Sequence, residues 1–166
     1  MHLVFHHTVG KQLHEPRQND DYYSPNSFSE DGPFVISDGA SESYDAKTWS
    51  RLLVGLYRQQ PEFSSAWVDQ ATARYTASHD IAALSWSRQA AFERGSFATL
   101  LAIHANGGPH AEILAVGDSL AVLGHGGSFR QSFPYETPEQ FGAHPLLISL
   151  SDRTLPNPNC KPGNER

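Results

Sequence analysis

FVISDGASES, residues Phe34 to Ser43, is the stretch on which the fold turns. It opens with a compact apolar run that halts at Asp38-Gly39, as a buried strand does when it delivers a carboxylate to its end. Beyond the serines, Trp49, Leu52, Leu53 and Leu56 recur at helical spacing. That spacing predicts a helix from about Asp45 to Arg58, with Ser41 or Ser43 as N-cap and Pro61 as the stop. The apolar stripe of this helix needs a core to face.

Toward the C-terminus, Trp67, Ala71 and Tyr75 follow at four-residue intervals, and Leu84, Trp86 and Ala90 lie in a second alanine-rich stretch. Two further helices, or one broken at Ser78-His79-Asp80, fill the region to Arg94, and Gly95 closes it. Trp49, Trp67 and Trp86 are expected in the core. Three β-compatible runs come next: SFATLLAIHA (96–105), AEILAVG (111–117) and SLAVLGHGG (119–127). Glycine-rich breaks separate them, which predicts an antiparallel meander, with the glycines around His125 forming a turn. PLLISL (145–150) reads as another strand.

Toward the N-terminus, Lys11 to Pro33 is dense in Asp, Asn, Ser, Pro and Tyr, so loops surround at most one short strand near Asp21 to Ser24. Leu3, Val4 and Phe5 form an apolar cluster too brief to assign. SDRTLPNPNCKPGNER (151–166) holds a single large aliphatic residue and is expected to be a disordered tail behind one domain of residues 1–150.

The 166 residues, 39% of them hydrophobic, suffice for one domain with a real core. A formal charge of −6 and the lack of any Lys/Arg run argue against nucleic acid as a partner. No apolar stretch reaches the roughly 20 residues that cross a bilayer, and the N-terminus has no signal-peptide pattern. The expectation is a cytoplasmic protein with no membrane partner. The single cysteine, Cys160, has no partner for a disulfide or a zinc knuckle. The spacings of the nine histidines match no zinc signature.

Two acidic sites stand out, Asp20-Asp21 within QNDDYY (18–23) and Asp38 before Gly39. Adjacent carboxylates repel unless a cation sits between them. Hard divalent ions take shells of carboxylates, carbonyls and waters, and a glycine lets its carbonyl come close. Taken singly, each string also reads as an ordinary turn.

Their order is more specific than either alone: QNDDYY, VISDGASES, a helix, RGSFATLLAI (94–103) and LAVGDSLAVL (114–123). This succession, over roughly residues 10–150, resembles the PPM-type (type 2C) metal-dependent protein phosphatases. In that family an Asn-Glu/Gln-Asp segment, an Asp-Gly strand end, a Gly-Ser-Thr-Ala-like strand and a Gly-Asp-Ser hairpin come in the same order. The resemblance implies an α/β (α+β) fold, an antiparallel β-sandwich core flanked by helices, here incomplete. It implies hydrolysis of phosphoserine or phosphothreonine by metal-activated water, with two Mn²⁺ or Mg²⁺ ions and a phosphoprotein substrate or regulatory partner.

By the same resemblance, Asp21 matches the aspartate of the first motif, Asp20 its acidic neighbour, and Asp38 the carboxylate that bridges two metals, with the Gly39 carbonyl as a further ligand. Asp118 matches a position near an additional weak metal. Arg17 lies near the place of a phosphate-gripping basic residue. The family's downstream metal-binding aspartates have no counterpart after PLLISL. The chain is therefore expected to be truncated, and a catalytically silent binding or regulatory module is the alternative to an enzyme.

Overall fold

The computed structural model describes residues 20–23, 32–105, 110–142, 145–151 and 159–162. Phe34–Ser37 forms strand β2, which pairs antiparallel with the short strand β1, Tyr22–Tyr23. On its other side β2 pairs with β4, Leu100–Ala105, and β4 with β5, Ala111–Val116, both antiparallel. Three helices, α1 (Ala46–Gln59), α2 (Ser65–Ala77) and α3 (Trp86–Arg94), lie between β2 and β4 in the chain.

Helix α1 begins where its stripe requires, but its N-cap is Asp45, whose carboxylate accepts from the Thr48 N–H at 3.1 Å. Neither Ser41 nor Ser43 caps it. Ser43 Oγ accepts instead from the Phe97 N–H at 2.9 Å, holding the start of strand β3, Phe97–Ala98. The break at Ser78-His79-Asp80 is real, with a single 3₁₀ turn at Ile81–Ala83 before α3. Gly95, at φ +94°, ends α3.

One face of the sheet and the two long helices make the core. Val35, Leu100, Ala102, Leu114 and Val116 meet Trp49, Leu53 and Leu56 of α1 and Trp67, Ala71 and Tyr75 of α2. Trp49 is fully buried, packs edge-on against Tyr75 at 5.3 Å between ring centroids, and donates through Nε1 to the Ile148 carbonyl at 3.0 Å. That bond ties α1 to strand β8, Ile148–Ser149, which pairs with β3. PLLISL thus delivers its strand inside the core.

Three further expectations need correction. Trp86 is 84% exposed, because it opens the nine-residue helix α3, none of whose residues is buried. The run at 119–127 does not continue the meander. Its strand β6, Ala121–His125, folds back on β7, Ser128–Phe133, as a separate hairpin turned at Gly126-Gly127. Gly117, at φ +93°, redirects the chain after β5. Finally, Asn159–Pro162, inside the stretch expected to be disordered, forms β9 on the free edge of β5. Backbone ladders need an open edge rather than apolar side chains, and β5 offers one. The sheet order is β1-β2-β4-β5-β9.

Candidate functional site

Side chains alternate along β2, with Val35 and Ser37 buried and Ile36 and Asp38 on the other face, where Asp38 is exposed. The β1/β2 register pairs Tyr22 with Ser37 and Tyr23 with Ile36. One further step along that register sets Asp21 across from Asp38, and the next sets Asp20 across from Gly39. Opposed residues of an antiparallel pair share a face, with Cβ atoms about 4.5–5.5 Å apart. The two acidic motifs, separate in sequence, therefore meet at one end of the sheet.

Gly39 is required by that meeting. A Cβ there would come within 2.8 Å of the Ala46 carbonyl oxygen and 2.9 Å of the Asp20 carbonyl oxygen, both backbone atoms with nowhere to go. The Asp20 carbonyl also accepts from Ser50 Oγ at 2.7 Å, so α1 holds the acidic segment by its main chain. Alternation puts Asp20 toward the α1 side and Asp21 on the face of Asp38.

Thr99 fixes Asp38 from behind. The Asp38 N–H donates to Thr99 Oγ1 and the Thr99 N–H to the Asp38 carbonyl, each at 2.9 Å. Ser37 Oγ donates to the Thr99 carbonyl at 2.7 Å. The Thr99 hydroxyl reaches Ser119 Oγ at 2.8 Å, and a Cβ on Gly117 would fall 2.7 Å from the Thr99 methyl. The Asp-Gly, Gly-Ser-Phe-Ala-Thr and Gly-Asp-Ser segments thus converge on one threonine. Asp118, beside Ser119, is exposed. Arg17 lies outside the described residues.

The Gly95-Ser96 corner has a different task. Buried Ser96 bonds Tyr75 Oη at 2.8 Å and accepts from the Asp45 N–H at 3.3 Å. His79 stands against Tyr75 at 4.4 Å between centroids, with Nε2 3.3 Å from Asp45 Oδ2. Burial pushes the Asp45 carboxyl up, but hydrogen bonds from Thr48 and the nearby His79 outweigh it and leave the group below its ordinary range. Burial, together with the Asp45 charge, pushes the Tyr75 phenol up to about 12, against the opposing Ser96 bond. Sequence reading missed this Asp45-His79 pair. The only local signal was the cap spacing from Asp45 to Thr48.

Among the described residues no three His, Cys, Asp or Glu side chains gather as a metal group. The β1/β2 register, continued past Tyr22–Ser37, sets the Asp21 and Asp38 carboxylates on one face with Gly39 next to Asp38. This donor set is all hard oxygen and fits Mg²⁺ or Mn²⁺, which bind through one or two carboxylates and keep several waters. It does not make a closed cage.

No protein-family model matches the chain, and no curated protein matches it in sequence. Solved structures do match in fold. A bacterial serine phosphatase is similar over 87% of this chain and 67% of its own, at 13% identity and a TM-score of 0.60. The serine/threonine phosphatase Stp1 from Staphylococcus aureus matches 97% of this chain and 75% of its own, at 13% identity and 0.59. The serine/threonine phosphatase PstP/Ppp of Mycobacterium tuberculosis matches 89% and 68%, at 19% identity and 0.54. The fold resembles that of the bacterial serine/threonine phosphatases, and the chain spans about two thirds to three quarters of their length.

Proposed function

We propose that this chain is a metal-dependent phosphoserine/phosphothreonine phosphatase domain whose working end is Asp21, Asp38 and the Gly39 carbonyl. The observation that carries the reading is the β1/β2 register, Tyr22 with Ser37 and Tyr23 with Ile36, whose next step sets Asp21 across from Asp38. The fold likeness to serine/threonine phosphatases supports it. Asp21 and Asp38 hold the ion, Gly39 adds a carbonyl and leaves room for the Asp20 main chain, and Asp20 and Asp118 flank the end. Mg²⁺ or Mn²⁺ bound there supplies an acidified water and positive charge for a phosphoryl group. Thr99 keeps the Asp38 backbone from shifting as charge accumulates, so the end is organised before substrate arrives. The substrate is a phosphoprotein, and the proposal places the protein in the cytoplasm. Among the described residues no helix is long and apolar enough to cross a membrane.

Mn²⁺ titration by calorimetry, with hydrolysis of a phosphothreonine peptide on the same sample, tests the reading. Asp38→Asn removes one charge and is expected to abolish both binding and turnover with the helices intact by circular dichroism. Unchanged Mn²⁺ affinity in that variant sinks the assignment. A second reading rests on the open donor set: with two carboxylates and no third ligand side chain among the described residues, the same end serves a catalytically silent module that binds a phosphoprotein or regulatory partner. Peptide binding without turnover in the wild-type chain selects it.

A further inference from the structure

The turn that follows Asp38-Gly39 forms one wall of a second concavity, of about 260 Å³, whose other wall is α3. It is lined by Glu42, Ser43 and Tyr44 on one side and by Ser87, Arg88 and Arg94 on the other. Both guanidinium groups are held by something other than a carboxylate. Arg88 lies over the Tyr44 ring at 5.8 Å from its centroid, and Arg94 donates to the Ala90 carbonyl at 3.3 Å. Among the described residues neither arginine makes an ion pair. In a chain with a formal charge of −6, two arginines converging on one hollow are a local inversion of sign. Ala91 between them leaves the space open.

We propose that this hollow is an anion subsite that takes a phosphoryl group, on a residue close in sequence to the one presented at Asp38. Two guanidinium forks lining one hollow match phosphoryl oxygens, and guanidinium-phosphate pairs are strong and geometrically selective. Glu42 on the rim repels any anion and so weakens the subsite. The Glu42 Cα lies four residues from that of Asp38 and so at most about 14 Å from it, with the arginines across the hollow beyond. An extended peptide covers that span in about four residues. The occupant is thus a doubly phosphorylated segment. This inference rests on the reading of the Asp38 end as a phosphopeptide site.

Fluorescence anisotropy of labelled peptides with the full chain and Mn²⁺, each phosphoryl ester carried as its non-hydrolysable phosphonate so that no turnover intervenes, tests it. Three peptides are compared: one phosphothreonine, the same with a phosphoserine four residues away, and the same with glutamate in place of that phosphoserine. The doubly phosphorylated peptide is expected to bind about tenfold tighter than the first, as two charge-assisted contacts allow. The double variant Arg88→Gln/Arg94→Gln, with an unchanged melting temperature, is expected to erase that difference, and Glu42→Gln to widen it about twofold. Equal binding of the first two peptides, or a difference that survives the double variant, overturns the subsite. If the glutamate peptide binds as tightly as the doubly phosphorylated one, the phosphoryl assignment is overturned. A failure of the phosphatase reading shows elsewhere, as absent hydrolysis of the parent phosphothreonine peptide with Mn²⁺ while the anisotropy difference persists.

Discussion

The α1/α2 side of the molecule and the β6-β7 hairpin both carry large apolar residues, yet these end in opposite states. On the helical side Trp49, Leu53, Tyr75 and Leu100 are each 0% exposed, and α1, α2 and the sheet close on one another. On the hairpin Val122 is 63%, Leu123 54% and Phe129 64% exposed. The difference follows from what each element packs against: α1 lies across β2 and reaches β8 through Trp49, whereas among the described residues β6 pairs with β7 alone. Stability therefore resides on the side that also holds Asp38 and Asp20. The hairpin's ties to that side include the Ser119-Thr99 bond and the Tyr135 Oη bond to the Gly117 carbonyl at 3.0 Å.

The sharpest way to break this contrast is to delete a large side chain on each side. Trp49→Ala removes a fully buried indole and its bond to Ile148, and is expected to cost about 3–5 kcal/mol. That is a large share of the roughly 5–15 kcal/mol available to a domain. Phe129→Ser on the hairpin is expected to stay within about 0.5 kcal/mol. Urea unfolding of both variants checks the pair. Comparable losses would show that the hairpin is a cooperative part of the core.

Thr99 is where the two regions meet, and a smaller substitution sharpens its part. Thr99→Val keeps shape and backbone bonds but leaves the Asp38 N–H without its acceptor and Ser119 without its partner. For buried polar groups such a loss is worth about 1–3 kcal/mol. The expected signature is local: faster amide exchange at Asp38 and a modest fall in melting temperature. Exchange that stays slow at Asp38 would mean that the register with β1, rather than Thr99, positions the carboxylate.

These same elements show what could be read in advance. Strand β2, helix α1, the break at Ser78-His79-Asp80 and the Gly95 stop all declare themselves within a few residues, because periodicity and left-handed backbone are local properties, whereas the α1 cap fell to Asp45 because Ser43 is taken by the Phe97 N–H. The partner of β6, the pairing of β9 and the fate of Trp86 were misread, since each depends on which edge or surface the rest of the chain leaves open. The order of acidic and glycine motifs pointed to Asp20, Asp21, Asp38 and Gly39 together. It did not reveal that alternation would divide Asp20 from Asp21, nor that a bond across 61 residues makes Thr99 the support of Asp38. The Arg88-Arg94 hollow was invisible for a related reason. It is assembled from a turn and a helix about 50 residues apart, and long-range pairings of this kind leave no periodic trace in the sequence.

A smaller effect than at Trp49 or Thr99 is expected at Asp45, where a cap and a His79 contact coincide at the foot of α1. Its carboxyl is held below the ordinary value of 3.8 despite burial, by the Thr48 bonds and by His79. A group whose folded pKa is depressed contributes stability that is present above the unfolded value and lost as pH falls through the folded one. The wild-type melting temperature is therefore expected to carry an increment that fades as the pH drops below about 3.8. Asp45→Ala removes the cap at a cost of about 1 kcal/mol near neutral pH, discounted on the ion-pair side because the carboxylate is 34% exposed. The two melting curves, separate at pH 7, are expected to converge in acid. A gap that persists unchanged at pH 3 would mean that Asp45 acts through packing at the α1 terminus and not through its charge.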